Sequence, residues 1–205
     1  VKLVVDLRHK PERERQPSLY PVADEARVLV FGDRPDSESA KVAPHEAFME
    51  HDLKTPEDAH DYMVRSYAQR PQDDRFQEIC RETFMHMIET GDEILVHCAA
   101  GKDRTGTIVA LIQGVLGLSD QDIRKDYMLT NTAIDIEAFL VPASAMFAKR
   151  YNRPITPEAL RPMFGVTEAY LESSLGVIGD IPTYVRDVIG ISEADITVLK
   201  QQYID

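Results

Sequence analysis

Cysteine is scarce in this chain, and so is positive charge: its 205 residues hold 2 cysteines and 23 lysines and arginines against 35 aspartates and glutamates. Two thiols cannot build a disulfide framework, so the fold must rest on a packed core, and a reducing compartment is the expected setting. A formal net charge of -12 sets the mean field against phosphate backbones, which excludes a long nucleic acid as partner. No apolar run approaches the roughly 20 residues that a membrane-spanning helix needs. The first residues show neither the basic nor the apolar region of a secretory leader. The expectation is a soluble, cytoplasmic protein without stable membrane insertion. Val1 opens inside a strand pattern with no initiator Met, so an upstream segment is expected, and secretion stays open. Repeats, low-complexity tracts and long linkers are also missing, so residues 1–205 read as one domain.

What is there is a globular composition, 43% apolar and 28% charged. Val1 to Leu7 and Arg27 to Phe31 are short β-branched runs bounded by charged, proline-containing stretches, the pattern of buried strands; a third runs from Ile94 to Val96 and ends at His97. Thr55-Pro56-Glu57-Asp58 has a helix-start pattern, with Thr as cap and Pro at the first position, predicting a helix to about Gln69. Phe76, Ile79, Cys80, Phe84, Met87 and Ile88 form the apolar stripe of a second helix that Gly91 can terminate. Strand, helix, strand, glycine-containing loop, helix is the order of an α/β domain with a mostly parallel central sheet flanked by helices. Beyond Gly117 the pattern is helical throughout. Ser119-x-x-Asp122, Thr132-x-x-Asp135 and Ser192-x-x-Asp195 read as capping boxes, and Pro142, Pro154, Pro157, Pro162 and Pro182 are expected to cut this last third into short pieces. The division is therefore an α/β core over 1–131 and a helical extension over 132–205, with 132–165 a candidate lid.

The segment His97-Cys98-Ala99-Ala100-Gly101-Lys102-Asp103-Arg104-Thr105-Gly106 falls where a parallel strand ends and a helix begins. Ligands of open α/β sheets bind there, because the helix N-terminus offers unpaired N–H groups and a positive dipole end. In a chain this acidic, an anionic substrate needs such a local positive site. Small residues at 99 to 101 let the chain curl with its amides inward, and Gly106 permits close helix packing. Cys98 at the bottom of that nest would be a thiolate nucleophile. Arg104 has the planar fork to hold two phosphoryl oxygens, and Thr105 brings a hydroxyl near the sulfur. A second step, hydrolysis of a thiophosphate, asks for an acid and base. Asp103 is the first candidate, and Asp33 and Asp36, in the loop after the second strand, are the alternatives. A nucleotide-binding Walker loop is excluded, since Gly101-Lys102 is followed by Asp103 and not by Ser or Thr. No metal or cofactor is called for.

The run HCAAGKDRTG resembles the phosphate-binding signature of the protein-tyrosine phosphatases, in the bacterial branch that acts on phosphotyrosine, phosphoserine or phosphothreonine and, in some members, phosphoinositides. Val4-Val5-Asp6-Leu7-Arg8, Asp126-Tyr127-Met128-Leu129-Thr130-Asn131 and Phe164 to Leu171 look like further signatures, so the resemblance spans nearly the whole chain. It implies a protein-tyrosine-phosphatase-like fold, with Cys98 as nucleophile and Arg104 as phosphate ligand. It further implies Asp103 as acid, and Lys102 as a second cation favouring multiply phosphorylated or lipid head groups. The chain departs from the family in lacking an Asn-Phe-Arg-Asp stretch and extra strand before VVDLR. It also has no Trp, hence no Trp-Pro-Asp acid loop, which favours Asp103. The expected partner is a phosphorylated protein, phosphoester or phosphoinositide; the oligomeric state is open.

Each of these residues also has a plainer reading. A chain keeping Cys98 and Arg104 could be a catalytically silent phosphoprotein-binding module, or a sulfur-transfer or arsenate-reducing enzyme with the same loop. His97 reads as a brace for the loop, Cys80 as core, and Asp6 and Arg8 as strand-end partners. Tyr62, Met63 and Tyr67 also read as core. Lys149, Arg150, Arg153 and Arg161 form the densest basic cluster, read either as a solvated helix face or as a head-group site on the lid.

Overall fold

The computed structural model describes residues 1–18, 26–31 and 43–204. Its sheet has three described strands, β1 (Leu3–Asp6), β2 (Arg27–Val30) and β3 (Ile94–His97), in the order β2-β1-β3 and parallel throughout. β1 is buried at all four positions because strands flank it on both edges; Leu3 and Val5 enter the main core, while on the opposite face Val28 and Leu95, the neighbours of Val4, stay exposed. The register sets Asp6 beside His97, so the carboxyl ends of β1 and β3 open together onto one crevice.

The helices begin and stop where cap chemistry dictates. α1 (Lys10–Arg15) and α2 (Pro44–His51) are short and carry Pro in the first turn. α3 (Pro56–Gln69) starts on a reciprocal box in which Thr55 Oγ1 accepts from Asp58 N and Asp58 accepts from Thr55 N. α4 (Asp74–Thr90) stops at Gly91, whose φ of 64° is cheap only for glycine. α5 (Asp103–Leu116) leaves the loop after β3, and α6 (Asp120–Met128) is capped by Ser119. The remaining α-helices among the described residues are α7 (Thr130–Ala133), α8 (Ile136–Tyr151), α9 (Pro157–Phe164), α10 (Glu168–Ile178), α11 (Ile181–Tyr184) and α12 (Glu193–Tyr203), the last capped by Ser192.

Two sequence expectations are corrected in this last third. Thr132 does not cap a helix: it lies inside α7, with its hydroxyl on Leu129 O, and Asp135 itself caps α8 by accepting from Ala138 N. Nor do all the prolines break helices. Pro142 sits inside the long α8, on its exposed side, where water can reach the carbonyl left without an N–H partner; Pro162 sits inside α9.

Among the described residues, two apolar cores form. The larger joins the sheet to α3, α4 and α5 and to residues 166–199, with Tyr67, Tyr170, Phe76 and Phe84 buried within it. The smaller is built from α2, α3, α8 and α9 around Phe48, Leu53, Leu140 and Leu160. Tyr62 and Met163 pack against both, and α3 is the wall they share. The crevice beyond β1 and β3 lies along that wall.

Candidate active site

Residues 99–102 bend sharply between β3 and α5, so Cys98 and Arg104 face one cavity of about 380 Å³. Gly101 has φ of 68° with open space about it, so backbone conformation, not crowding, calls for glycine there. At Gly106 the reason is crowding: a Cβ would stand 3.0 Å from the Tyr127 ring. Among the described residues, the amides of Ala99, Ala100, Gly101 and Lys102 donate to no backbone carbonyl, which leaves them free for an anion.

Cys98 is 7% exposed. Burial alone would push its thiol up, but the Arg104 guanidinium, with the hydroxyl and amide of Thr105, outweighs that and brings it below the ordinary thiol value. Thr105 Oγ1 is otherwise buried without a hydrogen-bond partner among the described residues. Arg104 is itself gripped. Its Nη1 donates to Leu7 O at 2.6 Å and to Glu12 Oε2 at 2.8 Å, and its Nη2 to Glu12 Oε1 at 2.9 Å. Of five donors, Nε–H and the second Nη2–H remain, side by side on one edge and spaced for two phosphoryl oxygens. Burial of Glu12 would raise its pKa, yet the hydrogen bonds and charge of Arg104 and the His9 amide pull it down to about 2. The sequence reading missed Glu12, whose only signal was a Pro-Glu pair in a short charged helix.

Asp103, at the first position of α5, also lines the cavity. Its Oδ1 accepts from Tyr67 Oη at 2.8 Å and from Lys102 Nζ at 3.0 Å. Burial would raise this carboxyl, but Lys102, Arg70 and Tyr67 outweigh it and hold Asp103 below its ordinary value. Asp33 and Asp36 lie outside the described residues. Lys102 lines the cavity as well; its side chain is 4% exposed, and Nζ donates to Asp103 and to Gly165 O at 3.1 Å. Asn131 in turn clamps Val166 from both sides, accepting from its N and donating to its O at 2.9 Å each. The signature segments at 126–131 and 164–171 thus meet at the loop.

Asp6 receives Arg8 through its backbone N, Nε and Nη2, and His97 Nε2 lies 3.8 Å from Asp6 Oδ2. Cys80 is fully buried in α4, and burial pushes its thiol far up. Of the basic cluster, Arg150 meets Glu46, Arg153 donates to Met49 O and Arg161 pairs with Glu137. His9 and His45, unassigned from sequence, line the cavity; burial and Arg104 lower His9 to about 4.

A bent loop joining a parallel strand to a helix, with thiol and guanidinium facing one cavity, defines the cysteine-and-arginine phosphate-loop class. The tyrosine phosphatase family model matches residues 1–205, and the chain belongs to that family and is a phosphatase. It is 28% identical over 224 residues to the "Triple specificity protein phosphatase PtpB" of Mycobacterium tuberculosis, covering 96% of this chain and 80% of that one. It is 30% identical over 154 residues to a Cupriavidus necator protein named "Putative tyrosine-protein phosphatase", covering 73% of this chain and 52% of that one. Its substrate is a phosphorylated molecule, and among the described residues no helix is long and apolar enough to cross a membrane.

Proposed function

We propose that the protein hydrolyses phosphomonoesters through a cysteinyl-phosphate, with phosphotyrosine as the preferred substrate. The observation that carries this is the convergence of an acidified Cys98 and a Glu12-anchored Arg104 on one cavity. The Cys98 thiolate attacks phosphorus, and the ester P–O bond breaks with its electron pair going to the departing oxygen. Asp103 gives that oxygen a proton. The carboxyl is ionised at rest, and the negative charge of an arriving phosphoryl group raises its pKa so that it binds the proton it then donates. Water next attacks phosphorus while Asp103 takes back a proton, and the P–S bond breaks to release phosphate and the thiolate, which Thr105 helps stabilise. Arg104 and the amides of residues 99–102 hold the equatorial oxygens throughout.

The walls suit an aromatic leaving group, since Phe31, Tyr62, Met63, Phe76 and Met163 line the cavity. The relative's name records triple specificity, and comparable breadth, with phosphoserine, phosphothreonine and phosphoinositides as lesser substrates, is part of this reading. So is the domain organisation, one catalytic unit with 132–165 as a cover, which Met163 supports by reaching the cavity from α9. The test is a panel of aryl phosphate, phosphopeptides and phosphoinositides with trapping of the phosphoenzyme. Turnover with phosphate covalently on Cys98 is expected; phosphopeptide binding without turnover would make the chain a silent binding module.

A further inference from the structure

We propose that Tyr67 is a positioning residue: with Tyr127 behind it, its phenol pins one oxygen of Asp103 so that the other is presented to the leaving oxygen and the attacking water. This deepens the reading above and rests on Asp103 acting as acid and base.

Three oxygens from three elements form one chain. Tyr127 Oη lies 2.8 Å from Tyr67 Oη, which lies 2.8 Å from Asp103 Oδ1. Each phenol has a single proton, and an ionised carboxylate has none. Tyr67 therefore donates to Asp103, and Tyr127 must donate to Tyr67. The direction of the chain is fixed, and each donor polarises the next. Lys102 Nζ meets the same Oδ1, while among the described residues Oδ2 takes part in no hydrogen bond. A carboxyl secured at one oxygen and open at the other, beside the cavity, is arranged for proton exchange.

Packing keeps the phenols in place. Tyr67 is fully buried, with the Arg70 guanidinium 4.2 Å from its ring centre and the Tyr170 ring at 5.7 Å. Tyr127 is held close by the bare face of Gly106. If packing alone were needed, phenylalanine would serve at both positions without bringing buried hydroxyls into the core.

Other groups bear on Asp103 besides these phenols: Lys102 and Arg104 from its own loop, Cys98 at the strand end, Arg70 beyond α3 and, further out, Tyr62, His45 and Tyr170. They stay in place when one phenol oxygen is removed. A donor to a carboxylate favours its charged form, so deleting the Tyr67 hydroxyl raises the pKa of Asp103.

The experiment compares aryl phosphate turnover against pH for the wild type, Tyr67→Phe, Tyr127→Phe and Asp103→Asn. Asp103→Asn is expected to remove one limb of the kcat/KM profile. Tyr67→Phe should move that limb to higher pH and lower kcat roughly tenfold with KM little changed. Tyr127→Phe should shift it the same way by less. A Tyr67→Phe enzyme with the wild-type profile, whatever its Tm, overturns the positioning role even where Asp103→Asn has lost the limb. An Asp103→Asn enzyme with the wild-type profile overturns the acid–base reading itself. Should Tyr67→Phe fail to fold, Tyr127→Phe decides: an unmoved limb sinks the proposal.

Discussion

The two cysteines are both buried, yet they are pushed in opposite directions. Cys80, in mid-helix among apolar side chains, is fully buried and its thiol is driven far up; Cys98, 7% exposed at a strand end, is brought down. Burial alone makes a thiolate costly in either place. The difference comes from what faces the sulfur. In α4 every N–H near Cys80 serves the helix, whereas after β3 a loop amide, a hydroxyl and a guanidinium are left to face the anion. The direction in which each thiol shifts is thus set by the unpaired donors that face it, and exposure matters less.

Exchanging the two thiols for serine in turn breaks the comparison most sharply. Cys98→Ser should lower aryl phosphate turnover by about 10⁴-fold or more while substrate still binds, whereas Cys80→Ser should leave kcat/KM within about twofold and cost roughly 1–3 kcal/mol in denaturant unfolding, by placing a hydroxyl in an apolar site. Arg104→Lys tests the cation that separates the two sites. A point charge cannot offer two side-by-side donors, and kcat should fall by about 10²-fold to 10³-fold in steady-state assays. Glu12→Gln keeps the shape but not the charge beneath Arg104, and roughly a tenfold loss of kcat/KM is expected. In the wild type, Glu12 has its pKa lowered by folding, so its pairing stabilises the fold above the ordinary carboxylate range and is lost as pH falls toward about 2. The Gln variant should flatten that acid limb of an unfolding curve. The smallest effect is one of rate: iodoacetamide should modify Cys98 with a midpoint below that of a free thiol and leave Cys80 untouched in the native state, as peptide mapping would show. Equal labelling of both would dissolve the contrast.

Much of this site was legible because it is local. Cys98 to Gly106 is one strand-loop-helix junction, and its small residues, glycines and arginine each have a role that neighbouring chain positions dictate. What escaped notice comes from afar. Glu12 reaches Arg104 from α1, Tyr67 reaches Asp103 from α3, and Tyr127 arrives from α6. Tyr67 was read as core from its spacing, and its ring is core, but spacing says nothing of where a hydroxyl ends. The same limit applies to Lys102, whose partner Gly165 O comes from 63 positions further along the chain.

The sequence by itself determined the succession of strands and helices along the chain, the helix caps at Thr55, Ser119 and Ser192, and the loop that would present a thiol and a guanidinium together, since each depends on residues within a few positions of one another. Only the tertiary structure decided which side of that loop each charge faces. Lys102, Asp103 and Arg104 are consecutive, yet Arg104 pairs with Glu12 while Lys102 and Asp103 face each other and the phenols of α3 and α6. Partners brought from distant segments, whose attractions are strengthened and whose vacancies are made costly by burial, select among rotamers that the local chain leaves equally open.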